Sequence, residues 1–229
     1  MNVTYGYTFA RTHTFDVNPD PDSPLPPLDF RSNVARLTGT YAWDTRDDPS
    51  NASRGWLHSS GLEYGPEALG SDLRFLRYLG QQYYFRTVRD RLILASALRV
   101  GAGRGFEQDL IPSERFYAGG ATTVRGFAEQ GLGQTDFFGD PVGGNGLLLV
   151  NQEARFRLHR WVTMVGFVDA GNVFRRVRDL SFGDLEAGAG LGVRVTSPFA
   201  ILRVDVGVPL TSRRDQPAAR WYFGIGQTY

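Results

Sequence analysis

The sequence predicts an all-β protein, a transmembrane antiparallel β-barrel, and three observations carry that prediction. About ten segments alternate apolar and polar residues with a period of two. Most run past the roughly five or six residues of an ordinary globular strand and match the roughly 9–11 that a tilted strand needs to cross a bilayer. Tight turns and long links alternate along the chain, as in barrels with short turns at one membrane face and long loops at the other.

The segments fall at residues 2–11, 33–45, 54–66, 71–87, 90–104, 146–158, 160–174, 184–196, 199–210 and 219–229. In the fifth, Leu92, Leu94, Leu98 and Val100 share one face. In the sixth, Val150, Ala154 and Phe156 lie opposite Asn151, Glu153, Arg155 and Arg157. The seventh sets Asp169 against Met164, Val168 and Ala170. The eighth sets Leu185, Ala187, Ala189, Leu191, Val193 and Val195 against Glu186, Gly188, Gly190, Gly192, Arg194 and Thr196. In the ninth, Leu202, Val204, Val206 and Val208 oppose Arg203, Asp205 and Gly207. The last places Trp221, Phe223, Ile225 and Tyr229 on one face and Gly224 and Gly226 on the other. In a barrel the apolar face meets lipid and the polar face lines the lumen; a soluble β-sandwich inverts that assignment and is the alternative. Aromatics at Tyr41 and Trp43, Tyr83 to Phe85 and Trp221 to Phe223 sit at strand ends, where interfacial girdles form. Tight turns are expected at 87–90, 159–160 and 197–198, and long links at 12–32, 104–145 and 175–183.

Composition narrows the function classes. A formal charge of +1 over 229 residues gives no electrostatic case for nucleic acid. All 25 basic residues are Arg, which codon usage explains without selection for guanidinium. The absence of Cys excludes a disulfide framework and a thiolate metal site. The opening MNVTYGYTFART lacks the charged segment and apolar core of a signal peptide, and no run approaches the roughly 18 apolar residues of a membrane helix. His13, His58 and His159 fall at an outer loop, a strand and a periplasmic turn, so no catalytic constellation is expected, and neither a cofactor nor a metal. PDPDSPLPPLD, residues 19–29, reads as a rigid Pro-rich loop without calcium-loop spacing. RRVRD, residues 175–179, offers cations to anionic lipid headgroups, or is a solvated loop tip.

One stretch stands apart: ERFYAGGATTVRGFAEQGLG, residues 114–133, inside a loop of about forty residues. Loops of that length are usually functional or disordered. FYAGGATTVRGF, GGNGLLLVNQEARFRL, VGFVDAGNVF, LEAGAGLGVRVTSPFAILRVDVGVPL and WYFGIGQTY together resemble the C-terminal half of a BamA/TamA-type outer-membrane barrel. TYAWDTRDDPSNASRGW likewise resembles that family's periplasmic turn around D-x-R-D, so the resemblance runs from about Thr40 to Tyr229.

The resemblance implies a barrel of about sixteen strands, of which this chain supplies the C-terminal part, with POTRA repeats and a signal peptide outside it. A complete ten-stranded barrel is the alternative. It implies a long extracellular loop folded back into the lumen, where the arginine of Val124, Arg125, Gly126 and Phe127 meets acidic residues of the next two strands. Carried onto this sequence, the partners are Glu153 and Asp169, both on the polar face. Gly119 and Gly120 join Gly126 in allowing tight bends. Phe223, Gly224, Ile225, Gly226 and Tyr229 resemble the aromatic closing strand that assembly machinery recognises. The implied function is folding and insertion of client β-barrel proteins without covalent chemistry. The implied partners are outer-membrane lipid and lipopolysaccharide, unfolded client outer-membrane proteins, and periplasmic chaperones or accessory lipoproteins. A two-partner-secretion-type transport pore and a small stand-alone porin are the alternatives.

Overall fold

The computed structural model describes residues 1–17, 28–211 and 218–227. Its strands are β1 (Asn2–Val17), β2 (Leu28–Asp44), β3 (Gly55–Gly65), β4 (Phe75–Arg89), β5 (Leu92–Gly105), β6 (Gly146–His159), β7 (Val162–Phe174), β8 (Glu186–Thr196), β9 (Ile201–Pro209) and β10 (Arg220–Ile225). They form one ten-stranded sheet in sequence order, each strand antiparallel to its neighbours. Among the described residues the sheet is open, with β1 and β10 at its edges. Turns at 45–54, 90–91, 160–161 and 197–200 close one end. Links at 66–74, 106–145 and 175–185 close the other.

The two faces separate as the alternation predicts. Val168, Leu191 and Trp221 are 51%, 61% and 66% exposed, while their neighbours Asp169, Arg194 and Asp205 are fully buried. An apolar outer face around a charged, buried inner face is the inverse of a soluble sandwich, and it fits strands set in lipid.

β1 and β2 run further than the apolar alternation. They pair as far as Val17 and Leu28 with a register shift between Thr14 and Val17. Beyond the bilayer a strand needs no apolar face, so the pairing outlasts the pattern. Of the Pro-rich stretch, residues 19–27 lie outside the described residues and Leu28 opens β2. At the other edge, β10 is shorter than its segment. Gly226 takes φ of 90° and falls beyond the strand, and Tyr229 lies outside the described residues.

The aromatic clusters also divide. Trp43, Tyr84 and Trp161 face outward, and Trp43 packs against Trp56 with rings tilted by 57° and centroids 4.5 Å apart near the short-turn end. Phe85 and Tyr222 point inward, because strict alternation sends neighbouring side chains to opposite faces. Phe85 packs with Ala95 and Ala52. Ala52 belongs to the β2–β3 turn, which tucks under the inner face. There the Asp47 carboxylate accepts hydrogen bonds from the backbone N–H groups of Ser53 (2.8 Å) and Arg54 (3.0 Å) and from the Ser53 hydroxyl (2.5 Å). Burial would raise the Asp47 pKa, but these hydrogen bonds outweigh it and hold it well below the ordinary carboxylate range. Gln227 Nε2 donates to Asn51 Oδ1 at 3.0 Å, so the sheet curls far enough to bring the end of β10 to this turn.

The lipid face can be tested at the middle of β7. Val168→Arg places a cation outward near mid-membrane and is expected to cost about 2–4 kcal/mol in bilayer unfolding titrations. A neutral result there would return the outer face to solvent.

Candidate lumen site

Residues 106–145 leave the end of β5 and fold onto the inner face of the sheet. Phe116, Ala118, Val124, Phe127 and Leu132 of the loop pack with Leu147 and Leu149 of β6 and Val173 of β7 in one buried cluster. Phe127 is fully buried. Gly119 and Gly120 take φ of 109° and 97°, and a Cβ at Gly119 would meet the Ala128 carbonyl at 2.4 Å. Any other residue there is both strained and crowded.

Arg125 is fully buried. Its Nε donates to Asp169 Oδ2 at 2.7 Å and its Nη2 to Asp169 Oδ1 at 3.0 Å, a bidentate fork. Its backbone N–H donates to the same carboxylate at 3.1 Å. Nη1 donates to Glu153 Oε1 at 2.8 Å and approaches Asp205 Oδ2 at 3.4 Å. The guanidinium carbon lies 3.5 Å from the centroid of the Phe167 ring, the geometry of a cation–π contact. The sheet register sets this up: Glu153 of β6 lies directly opposite Phe167 of β7, and Asn151 opposite Asp169.

The cluster is larger than the three residues expected from sequence. Arg155 Nε donates to Glu153 Oε2 at 2.8 Å, and Arg194 forms a fork onto Asp205. Three buried carboxylates thus face three buried arginines, Arg125, Arg155 and Arg194, with Arg203 beside Asp205 at 3.8 Å. Asn151 Nδ2 bridges Asp169 Oδ1 (2.8 Å) to the Thr123 carbonyl (2.6 Å). Tyr222 of β10 holds the next peptides: its hydroxyl accepts from the Gly126 N–H at 2.8 Å and donates to the Phe127 carbonyl at 2.7 Å. Arg155, Arg194 and Asp205 were visible as members of the polar face. No sequence signal assigned them to this cluster, because their convergence depends on register across four strands. Tyr222 was hidden by its place between two lipid-facing aromatics.

The glycines of β8 and β9 make room. A Cβ at Gly188 would sit 2.0 Å from the Arg125 carbonyl oxygen, one at Gly207 2.8 Å from the Gly126 nitrogen, and one at Gly192 1.8 Å from Asp205 Oδ1. Gly126 itself has φ of 102°.

A second contact holds the start of the loop against the opposite part of the sheet. Arg36 of β2 donates through Nη2 to Glu114 Oε1 at 2.5 Å and lies 3.6 Å from Glu63 of β3. Arg77 of β4 reaches Glu63 at 3.2 Å and covers the Phe116 ring at 4.5 Å. Burial is the largest influence on Glu114 and pushes its carboxyl above the ordinary range, with Arg36 and Arg77 opposing and Glu63 adding to the rise. Among the described residues no group of three or more His, Asp or Glu side chains gathers as a metal site requires. His58 is turned to the outer face, within 3.1 Å of Gln82 and 3.0 Å of Ser60.

A family model described as the Omp85 superfamily domain matches residues 1–229. The chain belongs to the Omp85 superfamily. Among curated Omp85 relatives, the outer membrane protein assembly factor BamA of Nitratidesulfovibrio vulgaris is 28% identical over 99% of this chain and 30% of its own length. BamA of Neisseria meningitidis is 25% identical over 83% of this chain and 28% of its own length. A SAM50-like protein of Schizosaccharomyces pombe is 26% identical over 83% and 43%. This chain thus spans under half the length of the curated relatives it matches. The crystal structure of BamA from Haemophilus ducreyi lacking POTRA domains 1–3 superposes with a TM-score of 0.76 at 18% identity, covering 96% of this chain and 49% of that one. That likeness is one of fold: an outer-membrane β-barrel sheet of the Omp85 type.

Arg125→Ala leaves buried carboxylates short of a partner and is expected to cost about 3–5 kcal/mol. Protease cleavage within 105–145 in intact membranes should rise, with Asp169→Asn giving a smaller rise because the amide still accepts a hydrogen bond. Unchanged cleavage in Arg125→Ala would remove the ion cluster as what seats the loop. Glu114 gives a pH test. Its folded pKa is raised, so its stabilising contribution is complete below the ordinary carboxyl value and fades as pH rises through the shifted one. Protection of residues 106–118 should fall as pH rises above the ordinary carboxyl range, and Glu114→Gln should flatten that fall.

Proposed function

We propose that this chain is the barrel segment of an outer-membrane assembly factor that folds and inserts client β-barrel proteins without covalent chemistry. The observation that carries the reading is the fully buried Arg125 seat, which keeps a long loop inside the sheet instead of over its mouth. Two relatives named as assembly factors, matched over 83% of this chain or more, support it. A porin needs an unobstructed lumen, and here Phe127, Leu132 and Arg125 fill the inner face of β6 to β9. A polypeptide-secreting pore of the two-partner type would have to displace the same loop.

The mechanism uses strand edges. β10 has only six residues, all paired to β9, and in the larger barrel its other edge would meet a strand outside this chain along a short seam whose opening exposes backbone donors and acceptors. Such an edge is a template for an incoming strand. Tyr222 ties that strand to Gly126 and Phe127, so movement of β10 breaks two hydrogen bonds to the loop. Edge opening and loop seating are therefore coupled. The client is an unfolded outer-membrane β-strand protein, and surrounding lipid, lipopolysaccharide and accessory periplasmic factors are the remaining partners.

The test is reconstitution of the full-length natural protein in liposomes with a urea-denatured small β-barrel client. Client folding should accelerate several-fold over empty liposomes, and Arg125→Ala should remove most of the gain. Equal client folding with and without the protein, combined with polypeptide passage across the bilayer, would favour the secretion pore.

A further inference from the structure

The outer rim beside the loop carries a concentration of arginine that neither the lumen cluster nor strand pairing uses. A cavity of about 250 Å³ opens between the loop and the β7–β8 link, lined by Arg115, Arg175, Arg176, Asn145 and Asp109. A second, of about 610 Å³, shares Asp109, Asn145 and Arg176 and adds Arg104 and Arg178. Five arginines therefore line two adjoining cavities, together the basin, that share Asp109, Asn145 and Arg176, and Asp109 is the acidic residue among that lining. Arg178 lies 3.8 Å from Asp179 in an exposed pair. Arg104 leans on the Phe106 ring at 5.9 Å. Among the described residues, no carboxylate lies within ion-pair distance of Arg104, Arg115, Arg175 or Arg176.

Like charges gathered around a concave surface repel unless an anion joins them, and such a surface focuses field on the anion's position. Arg115 is already fixed for this. Its Nε donates to the Leu110 carbonyl at 2.7 Å and its Nη1 to the Val142 carbonyl at 3.0 Å, which orients the Nη2 edge without neutralising the charge. The backbone binds both walls together, with Asn145 N–H donating to the Arg175 carbonyl at 3.4 Å and its own carbonyl accepting from Gly103 N–H at 2.7 Å. A planar fork beside further guanidiniums suits a phosphate ester, whose oxygens accept several charge-assisted hydrogen bonds.

We propose that this basin is a phosphate-binding site that takes the phosphorylated headgroup of an outer-leaflet lipid. The phosphate is the recognised chemistry, and the lipid source follows from the basin's place at strand ends. It rests on the reading that the long-loop end of the sheet faces the cell exterior. Docking a lipid phosphate there would pin the β7–β8 link to the loop from outside while Arg125 holds the loop from within.

The experiment uses the full-length protein, purified in detergent and also in nanodiscs, with inorganic pyrophosphate and phosphatidic acid as probes. Pyrophosphate binding is read by calorimetry, and lipid retention by native mass spectrometry against phosphatidylcholine. The paired change Arg115→Gln with Arg176→Gln should weaken both by about tenfold or more, the fold-change of one or two lost charge-assisted hydrogen bonds. Arg160→Gln, at the opposite end of the sheet, should leave both intact. Resistance of residues 105–145 to protease in the paired variant shows that the loop is still seated.

Preferred retention of phosphatidic acid, lost in the paired variant, supports the site and its lipid source. Pyrophosphate binding without preferential lipid retention would overturn the headgroup assignment in favour of a soluble phosphate. No binding of either probe, or an equal loss in Arg160→Gln, would overturn the site. Labelling of Ser181→Cys on intact cells by a membrane-impermeant maleimide tests the orientation separately, because the pyrophosphate measurement does not depend on it.

Discussion

A guanidinium taken wholly out of water has to recover its hydration, and Arg125 does so from four directions at once. Asp169 supplies both oxygens, Glu153 and Asp205 supply one each, and Phe167 offers its ring face. Those groups come from β6, β7 and β9, so the arginine is satisfied in one register of the sheet and in few others. The surrounding sequence accommodates it. Gly188 and Gly207 let the loop backbone lie directly on the wall, and Arg155 and Arg194 balance the carboxylates that Arg125 alone would leave in excess. Buried ion pairs are poor sources of net stability but costly to break singly. Here that asymmetry serves position: the loop is either seated with every partner or not seated at all.

The seat also reaches the edge of the sheet. Tyr222 stands between Trp221 and Phe223, which face lipid, and its own hydroxyl ends on the loop backbone. A short edge strand bound to a lumen loop is a physical route by which events at the edge are felt inside. The Glu114–Arg36 contact fastens the same loop to β2, far across the sheet from Asp169. The loop thus spans the curled sheet as a strut with an end on each side.

Most of the sheet was legible in the sequence. Alternation such as Val150, Ala154 and Phe156 against Asn151, Glu153 and Arg155 reports a lipid–lumen boundary directly, and all ten strands were located by it. Strand ends were less legible, because β1 and β2 continue as paired strands where no bilayer imposes a pattern. In the site, the family resemblance implied Arg125 with Glu153 and Asp169, both on the polar face, and the structure brings the three within hydrogen-bonding distance. Asp205 and Arg194 carry no local mark that separates them from other lumen-facing charges, and their meeting is a product of register. The Arg36–Glu114 contact joins residues 78 apart in sequence and leaves no pattern in either neighbourhood. Gly188, Gly190 and Gly192 were visible as a row, and the fold gives each a reason: the loop backbone at Arg125 lies over Gly188, Val206 and the Phe167 ring crowd Gly190, and the Asp205 carboxylate crowds Gly192.

The central claim is that the loop backbone around Arg125 belongs to the folded wall of the lumen. Hydrogen–deuterium exchange on the protein in bilayers, resolved to the Arg125 and Gly126 amides, tests it most directly. The Arg125 N–H is bound to Asp169 and the Gly126 N–H to Tyr222, so both should exchange as slowly as the amides of β6 and β7. Exchange at the rate of an open loop would contradict the account.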